Sequence, residues 1–302
     1  MFLSLYEKRI FMEYLMLALA TFSNTAKTLA WKKIGNENQR GARLHLINAF
    51  IFFTAALTVL VVGLCSNTLP RASGITVLLG ILYALFSTLT QILLIKAMGM
   101  GEASVTQLVY SLGILLPIIY GALFLEEVIS PLQVVGVVLV LCALVLIINP
   151  KKNKNFRPLW LVLVLLAAIG SGSIAIVQKI HQSSFAKAEL QTFVIISQLT
   201  STLFSLLLYF IFRTKEEKKD SQMNGKFFGF LALCGLCVGV LNLSTSACAG
   251  LLPAVVQFPV YNIGSMVLVG ILSTFLFRER LTRTRLLGFL LGCVAILFIG
   301  LF

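Results

Sequence analysis

The chain has 302 residues, of which 59% are hydrophobic and 12% charged, about half the charged share of a soluble domain. Apolar runs of about 18 residues or more recur from Phe11 to Phe302, each long enough to cross a hydrocarbon core of about 30 Å, so a soluble fold is excluded and an all-α membrane protein is implied. The formal net charge of +13 would suggest nucleic acid in a soluble protein, but the basic residues cluster between the apolar runs. That is the pattern of cytoplasmic loops, and no nucleic-acid partner is expected.

In chain order the predicted membrane helices are 11–32, 42–65, 72–97, 103–125, 131–149, 158–180, 189–212, 227–250, 254–277 and 284–302. Ten spans with short connections use the whole length and leave no room for a soluble domain. At the start, Lys8 and Arg9, an apolar stretch and Ala18-Leu19-Ala20 resemble a cleavable signal peptide. The segment is retained as the first span, because removing it would leave nine helices and an asymmetric chain; Met12 is an alternative start. Polar connections at 150–155 and 215–220 mark the water phase. The first divides the chain into five-helix halves, 1–150 and 151–302. The six cysteines lie in or beside apolar runs, where cysteine acts as a small hydrophobe. Cys234 and Cys237 form a C-x-x-C without a second pair or a nearby histidine, a poor metal or redox signature.

The two halves are similar in sequence. A shift of 152 positions places Glu127 on Glu279, Ser130 on Thr282, Gly136 on Gly288 and Ala143 on Ala295. A shift of 150 places Ala97 on Ala247, Val105 on Val255 and Gln107 on Gln257. Five helices per half invert the second half relative to the first. Inverted repeats are typical of secondary transporters, which rock one repeat against the other around a site near the midplane.

Segments 123–136, with Glu127, Ser130 and Gly136, and 274–288, with Glu279, Thr282 and Gly288, resemble the paired signature of the drug/metabolite transporter superfamily, EamA-like branch. In that pattern the fourth helix of each half ends in an acidic residue, a short turn follows, and a glycine enters the fifth helix. The resemblance implies a ten-helix carrier in the cell membrane, commonly an exporter of metabolites or drugs.

Charge sets an expected orientation. With the amino terminus outside, the cytoplasmic loops carry 18 Lys and Arg and the other side carries five, with Lys27 left uncounted inside the first span. The bias appears in both halves and places both termini outside. Many family members are drawn with cytoplasmic termini; the charge count of this chain is followed.

Polar groups in membrane helices are costly unless they meet a partner or a wet cavity. They concentrate in the first, third and fourth helix of each half, whereas the fifth and tenth helices are almost wholly apolar and are expected outside the cavity. The candidate substrate-binding residues are Asn24, Lys27, Gln91, Lys96, Gln107, Tyr110, Gln178, Asn242, Gln257, Tyr261 and Asn262. Any one amide or hydroxyl can instead bond helix to helix. Gln107 and Gln257 are repeat equivalents, Tyr110 and Tyr261 lie one turn beyond them, and Pro117 and Pro259 interrupt the backbone ladders of the same two helices.

Lys27 lies about 7 Å along the helix from the Lys32-Lys33 end, and Lys96 is closer still to its own end. Both can snorkel to the surface. Turned inward, either makes the site electropositive and favours an anionic or zwitterionic substrate. The related small multidrug resistance proteins carry a carboxylate in the middle of their first helix, where this chain has Thr21-Phe22-Ser23-Asn24-Thr25. That difference argues against a cation-drug efflux pump. A non-transporting scaffold or sensor is the other alternative. One aspartate, Asp220, and two histidines, His45 and His181, make no catalytic or metal centre, so neither an enzyme nor a cofactor is expected.

Overall fold

The computed structural model describes residues 2–36, 42–66, 72–148, 158–184, 188–213, 225–278 and 283–301. Helices α1 (Phe2–Asn36), α2 (Ala42–Cys65), α3 (Gly74–Met100) and α4 (Ala103–Tyr110) lead into a 3-10 turn, Ser111–Ile114. Helices α5 (Leu115–Phe124), α6 (Pro131–Ile148), α7 (Pro158–Ser183), α8 (Leu190–Phe212), α9 (Gly225–Leu251), α10 (Ala254–Phe277) and α11 (Arg283–Leu301) follow. No strand occurs among the described residues. Seven stretches among them are long and apolar enough to cross a membrane: α2, α3, the α4–α5 rod over Val105–Phe124, α7, α8, α9 and α10. The polar segments expected at 150–155 and 215–220, and Glu279 with Thr282, lie outside the described residues.

The unbroken helix expected over 103–125 is interrupted. A proline ring clashes with the carbonyl four residues back, and four residues before Pro117 is Gly113, inside the 3-10 turn. A side chain at Gly113 would strike the carbonyl of Ala168, and one at Gly172 would lie 2.6 Å from the Gly113 oxygen. The turn therefore packs backbone against backbone on α7. Pro259 sits within α10 without ending it.

The entry to α6 is a reciprocal cap. The Gln133 amide nitrogen donates to Ser130 Oγ at 3.2 Å, and the Ser130 amide donates to Gln133 Oε1 at 3.0 Å, with Pro131 at the first helical position. Just upstream, Glu126 has φ 52°, and Arg278 after α10 has φ 55°. These left-handed residues, uncommon for side chains other than glycine, stand 152 positions apart, the same shift that aligns Glu127 with Glu279.

Packing interlocks the two halves of the chain. Helix α1 lies against α9 and α10, α2 against α8 and α9, and α3 against α7 and α8, while α6 runs along α11. Burial is the reverse of a soluble protein: Asn48, Gln91, Gln107, Gln178, Gln198 and Gln257 are buried, while Leu203, Phe210, Leu233 and Phe275 are exposed. An apolar exterior around a polar interior suits lipid on the outside.

Candidate functional site

A central cavity lies between α1, α2, α3, α4, α7, α9 and α10. Four helices face it with one stripe each at helical spacing. Helix α1 contributes Asn24, Lys27 and Trp31; α3 contributes Tyr83, Ser87, Thr90 and Gln91; α7 contributes Ser171, Ile174, Ala175 and Gln178; and α9 contributes Val238, Leu241, Asn242 and Thr245. Phe52, Tyr110, Tyr261 and Asn262 complete the wall. No described side chain of α6 or α11 lines it. The space is about 60 Å³, room for a few waters and well below the size that holds a drug-like molecule.

Eight of the eleven sequence candidates meet there: Asn24, Lys27, Gln91, Tyr110, Gln178, Asn242, Tyr261 and Asn262. Several also join helices. Asn24 donates to Ser265 on α10 at 2.7 Å, Gln91 to Asn48 on α2 at 2.8 Å, and Gln178 to Thr245 and Ser246 on α9 at 2.9 and 3.0 Å. Tyr83 Oη donates to Asn242 Oδ1 at 2.9 Å. The two readings of a buried amide, cavity lining and helix joining, thus apply to the same side chains.

Three candidates fall elsewhere. Lys96 is exposed on α3, because Ala97 and Met98 take the buried face and the long side chain leaves the bundle near the helix end. Gln107 and Gln257 are wholly buried behind the wall rather than in it. Thr28 Oγ1 on α1 donates to Gln107 Oε1 at 3.2 Å, and Gln257 Nε2 donates to the Thr245 carbonyl at 2.6 Å. Equivalent in the repeats, they make different contacts: Gln107 accepts from a side chain of α1, whereas Gln257 donates to the backbone of α9.

Lys27 turns inward. Its side chain is buried, its ammonium lies 4.6 Å from the centre of the Trp31 ring, and among the described residues no carboxylate pairs with it. Trp31, whose residue type suggests an interfacial anchor, is instead 4% exposed and forms the wall beneath that ammonium. The ring face supplies some compensation to the cation. Phe52 and Tyr83 were not singled out from sequence. Tyr83 was nonetheless legible, since it stands four, seven and eight residues before Ser87, Thr90 and Gln91 and shares their face.

The bundle is fastened at both of its ends. At one end, Lys32 Nζ donates to the carbonyls of Met98 and Gly101 at 3.0 and 2.5 Å. There α1 and α3 touch at Gly35 and Gly99, where a side chain on Gly35 would lie 2.6 Å from the Ile95 oxygen. At the other end, Lys179 on α7 pairs with Glu127 at 2.7 Å and donates to the Leu252 carbonyl at 2.6 Å. The second oxygen of Glu127 accepts from the Ala254 amide at 2.7 Å. Beside it, Glu189 at the start of α8 accepts from Thr76 Oγ1 at 2.5 Å and from the Ser73 amide and hydroxyl at 2.9 Å. Thr76 Oγ1 also lies 3.1 Å from Nε2 of His181, whose ring stacks on Phe193. The Thr76 hydroxyl and the Ser73 amide hold the Glu189 carboxyl below its ordinary range. Among the described residues no group of three or more His, Cys, Asp or Glu could hold a metal ion, and Cys234 and Cys237 are free thiols.

The model of the EamA-like transporter family matches residues 11–149 and again residues 158–301. Among solved structures, one described only as "Crystal structure of protein" aligns with a TM-score of 0.69 at 14% identity, covering 93% of this chain and 97% of that one. At that identity the likeness concerns the fold. A comparison with curated proteins found no match.

Proposed function

Since this chain belongs to the EamA-like transporter family, a family of membrane transporters, we propose that it carries a small anionic or zwitterionic metabolite by alternating access through the central cavity. The observation that carries this reading is Lys27, a buried cation with no carboxylate partner among the described residues, on the wall of a polar cavity. A desolvated ammonium is costly unless a partner is near, and a substrate carboxylate or phosphate supplies one. The amides of Asn24, Gln178 and Asn262 and the hydroxyls of Tyr110 and Tyr261 then serve the remaining polar atoms.

In this reading ten passes form two inverted five-helix repeats, split at 150/151. The fastened ends of the bundle and the small volume of the cavity suit an occluded stage, from which the cavity widens as one end parts. The basic end, with Lys32, Lys33, Arg43 and Arg213, faces the cytoplasm. Both termini then lie outside, and the direction of flux is export.

Purified protein in liposomes tests the reading, with uptake and efflux followed for carboxylate, phosphate, zwitterionic and cationic solutes. Flux of an anion or zwitterion above that of empty liposomes supports it. Flux of none, with monodisperse protein, returns the scaffold or sensor alternative. Reporter fusions after Phe302 test orientation, and activity confined to a cytoplasmic reporter contradicts it.

A further inference from the structure

On the outside of the bundle, between α2, α8 and α9, is a second recess of about 340 Å³. Its α2 wall is Leu46, Phe50 and Phe53 at one-turn intervals, its floor is Ala49, and Leu206 and Phe228 close the other sides. Thr202 also borders it, but its hydroxyl donates to the Gln198 carbonyl of its own helix at 2.9 Å, so its one donor proton is already used. All three helices are long and apolar enough to cross a membrane, which places the groove at acyl-chain depth.

One mouth of this groove is basic. Arg43 precedes Leu46 by three residues on the same face of α2, and Arg213 follows Leu206 by seven on the same face of α8. The helices run antiparallel, with His45 stacked on Phe212 at 5.5 Å, so both arginines lie at the same end of the pair. Arg213 is exposed. The Nε of Arg43 is buried and has no hydrogen-bond partner among the described residues. Lys33 adds a third cation, 4.7 Å over the Phe230 ring, next to the Phe228–Phe50 edge contact.

We infer that this groove is a binding site for one anionic phospholipid, with an acyl chain along Leu46, Phe50 and Phe53 and the head-group phosphate between Arg43 and Arg213. Apolar walls alone would take any lipid; the arginines select the charge. Planar guanidinium groups suit phosphate oxygens. The site is separate from the central cavity and does not depend on what that cavity carries.

Native mass spectrometry of the full chain tests this, with phosphatidylglycerol and phosphatidylcholine of matched chains. At about fivefold per arginine near the membrane surface, the parent is expected to favour phosphatidylglycerol by about 25-fold. The R43Q/R213Q variant should bring the two lipids near parity while still binding both. Ala49→Leu, which fills the floor, should lower retention of both. Should Ala49→Leu fail to fold, the arginine variant decides alone. Equal binding of the two lipids by the parent, or an unchanged preference in R43Q/R213Q, overturns the site. So does displacement of the lipid by free glycerol phosphate at equal concentration, or a dimer of the chain that Ala49→Leu disrupts.

Discussion

Where α1 and α3 finish, backbone meets backbone: Gly35 lies against Gly99, and Lys32 binds two main-chain carbonyls. At the opposite end side chains do the joining, through Glu127 with Lys179 and through Glu189 with Ser73, Thr76 and His181. Glycine contacts are insensitive to protons and salt, and parting them requires α1 and α3 to move as bodies. Ionic and hydroxyl links can be released one by one while every helix remains intact. The two ends of the bundle therefore answer to different influences, and substitution can separate them.

The largest effect is expected from Glu127→Ala, which leaves Lys179 buried and unpaired. Breaking a buried pair costs about 3 to 5 kcal/mol, to be read as a lower unfolding midpoint in detergent. Lys179→Met combined with Glu127→Gln should recover most of that loss, since neither charge then remains alone. Equal destabilisation by the single and double variants would mean that the carboxylate's bond to the Ala254 amide, not the ion pair, secures this end.

Gly99→Val should cost about 1 to 3 kcal/mol through overpacking against Gly35. Its unfolding midpoint should shift by the same amount at low and high salt. A salt-dependent shift would contradict the backbone character of that end. Thr76→Val removes the hydroxyl shared by Glu189 and His181 and should cost about 1 kcal/mol.

The smallest effect concerns pH. The Glu189 carboxyl is held below its ordinary range by Thr76 and Ser73, so its contribution is complete above the unfolded-state value, about 4.3. It is lost as pH falls through the lowered folded-state value. Glu189→Gln should flatten that acid limb of the stability profile. An acid limb unchanged in Glu189→Gln would assign the titration to another group.

Much of the interior was legible because membrane helices invert the usual pattern. A polar residue in an apolar run must face something, and Asn24, Lys27, Gln178 and Asn242 do face the cavity. Depth and direction were less legible. Gln107 looked like Tyr110's companion, but three residues on a helix separate side chains by enough for one to meet Thr28 and the other the cavity. Lys96 and Lys27 had similar credentials in sequence; only the packing of Ala97 and Met98 sent one outward. The partnership of Glu127 with Lys179 joins residues 52 positions apart, and no local pattern encodes it. The 3-10 turn before Pro117 was half visible, since the proline announced a break but not its form.

The central claim is that Lys27 supplies the charge against which a substrate anion binds. The most direct measurement is liposome flux of an anionic and a cationic solute by the parent and by Lys27→Gln, with Lys96→Gln as the exposed control. Loss of a charge-assisted contact should lower anion flux by about tenfold or more, with Lys96→Gln unchanged and cation flux low throughout. Anion flux undiminished in Lys27→Gln, or robust cation flux by the parent, would contradict the account.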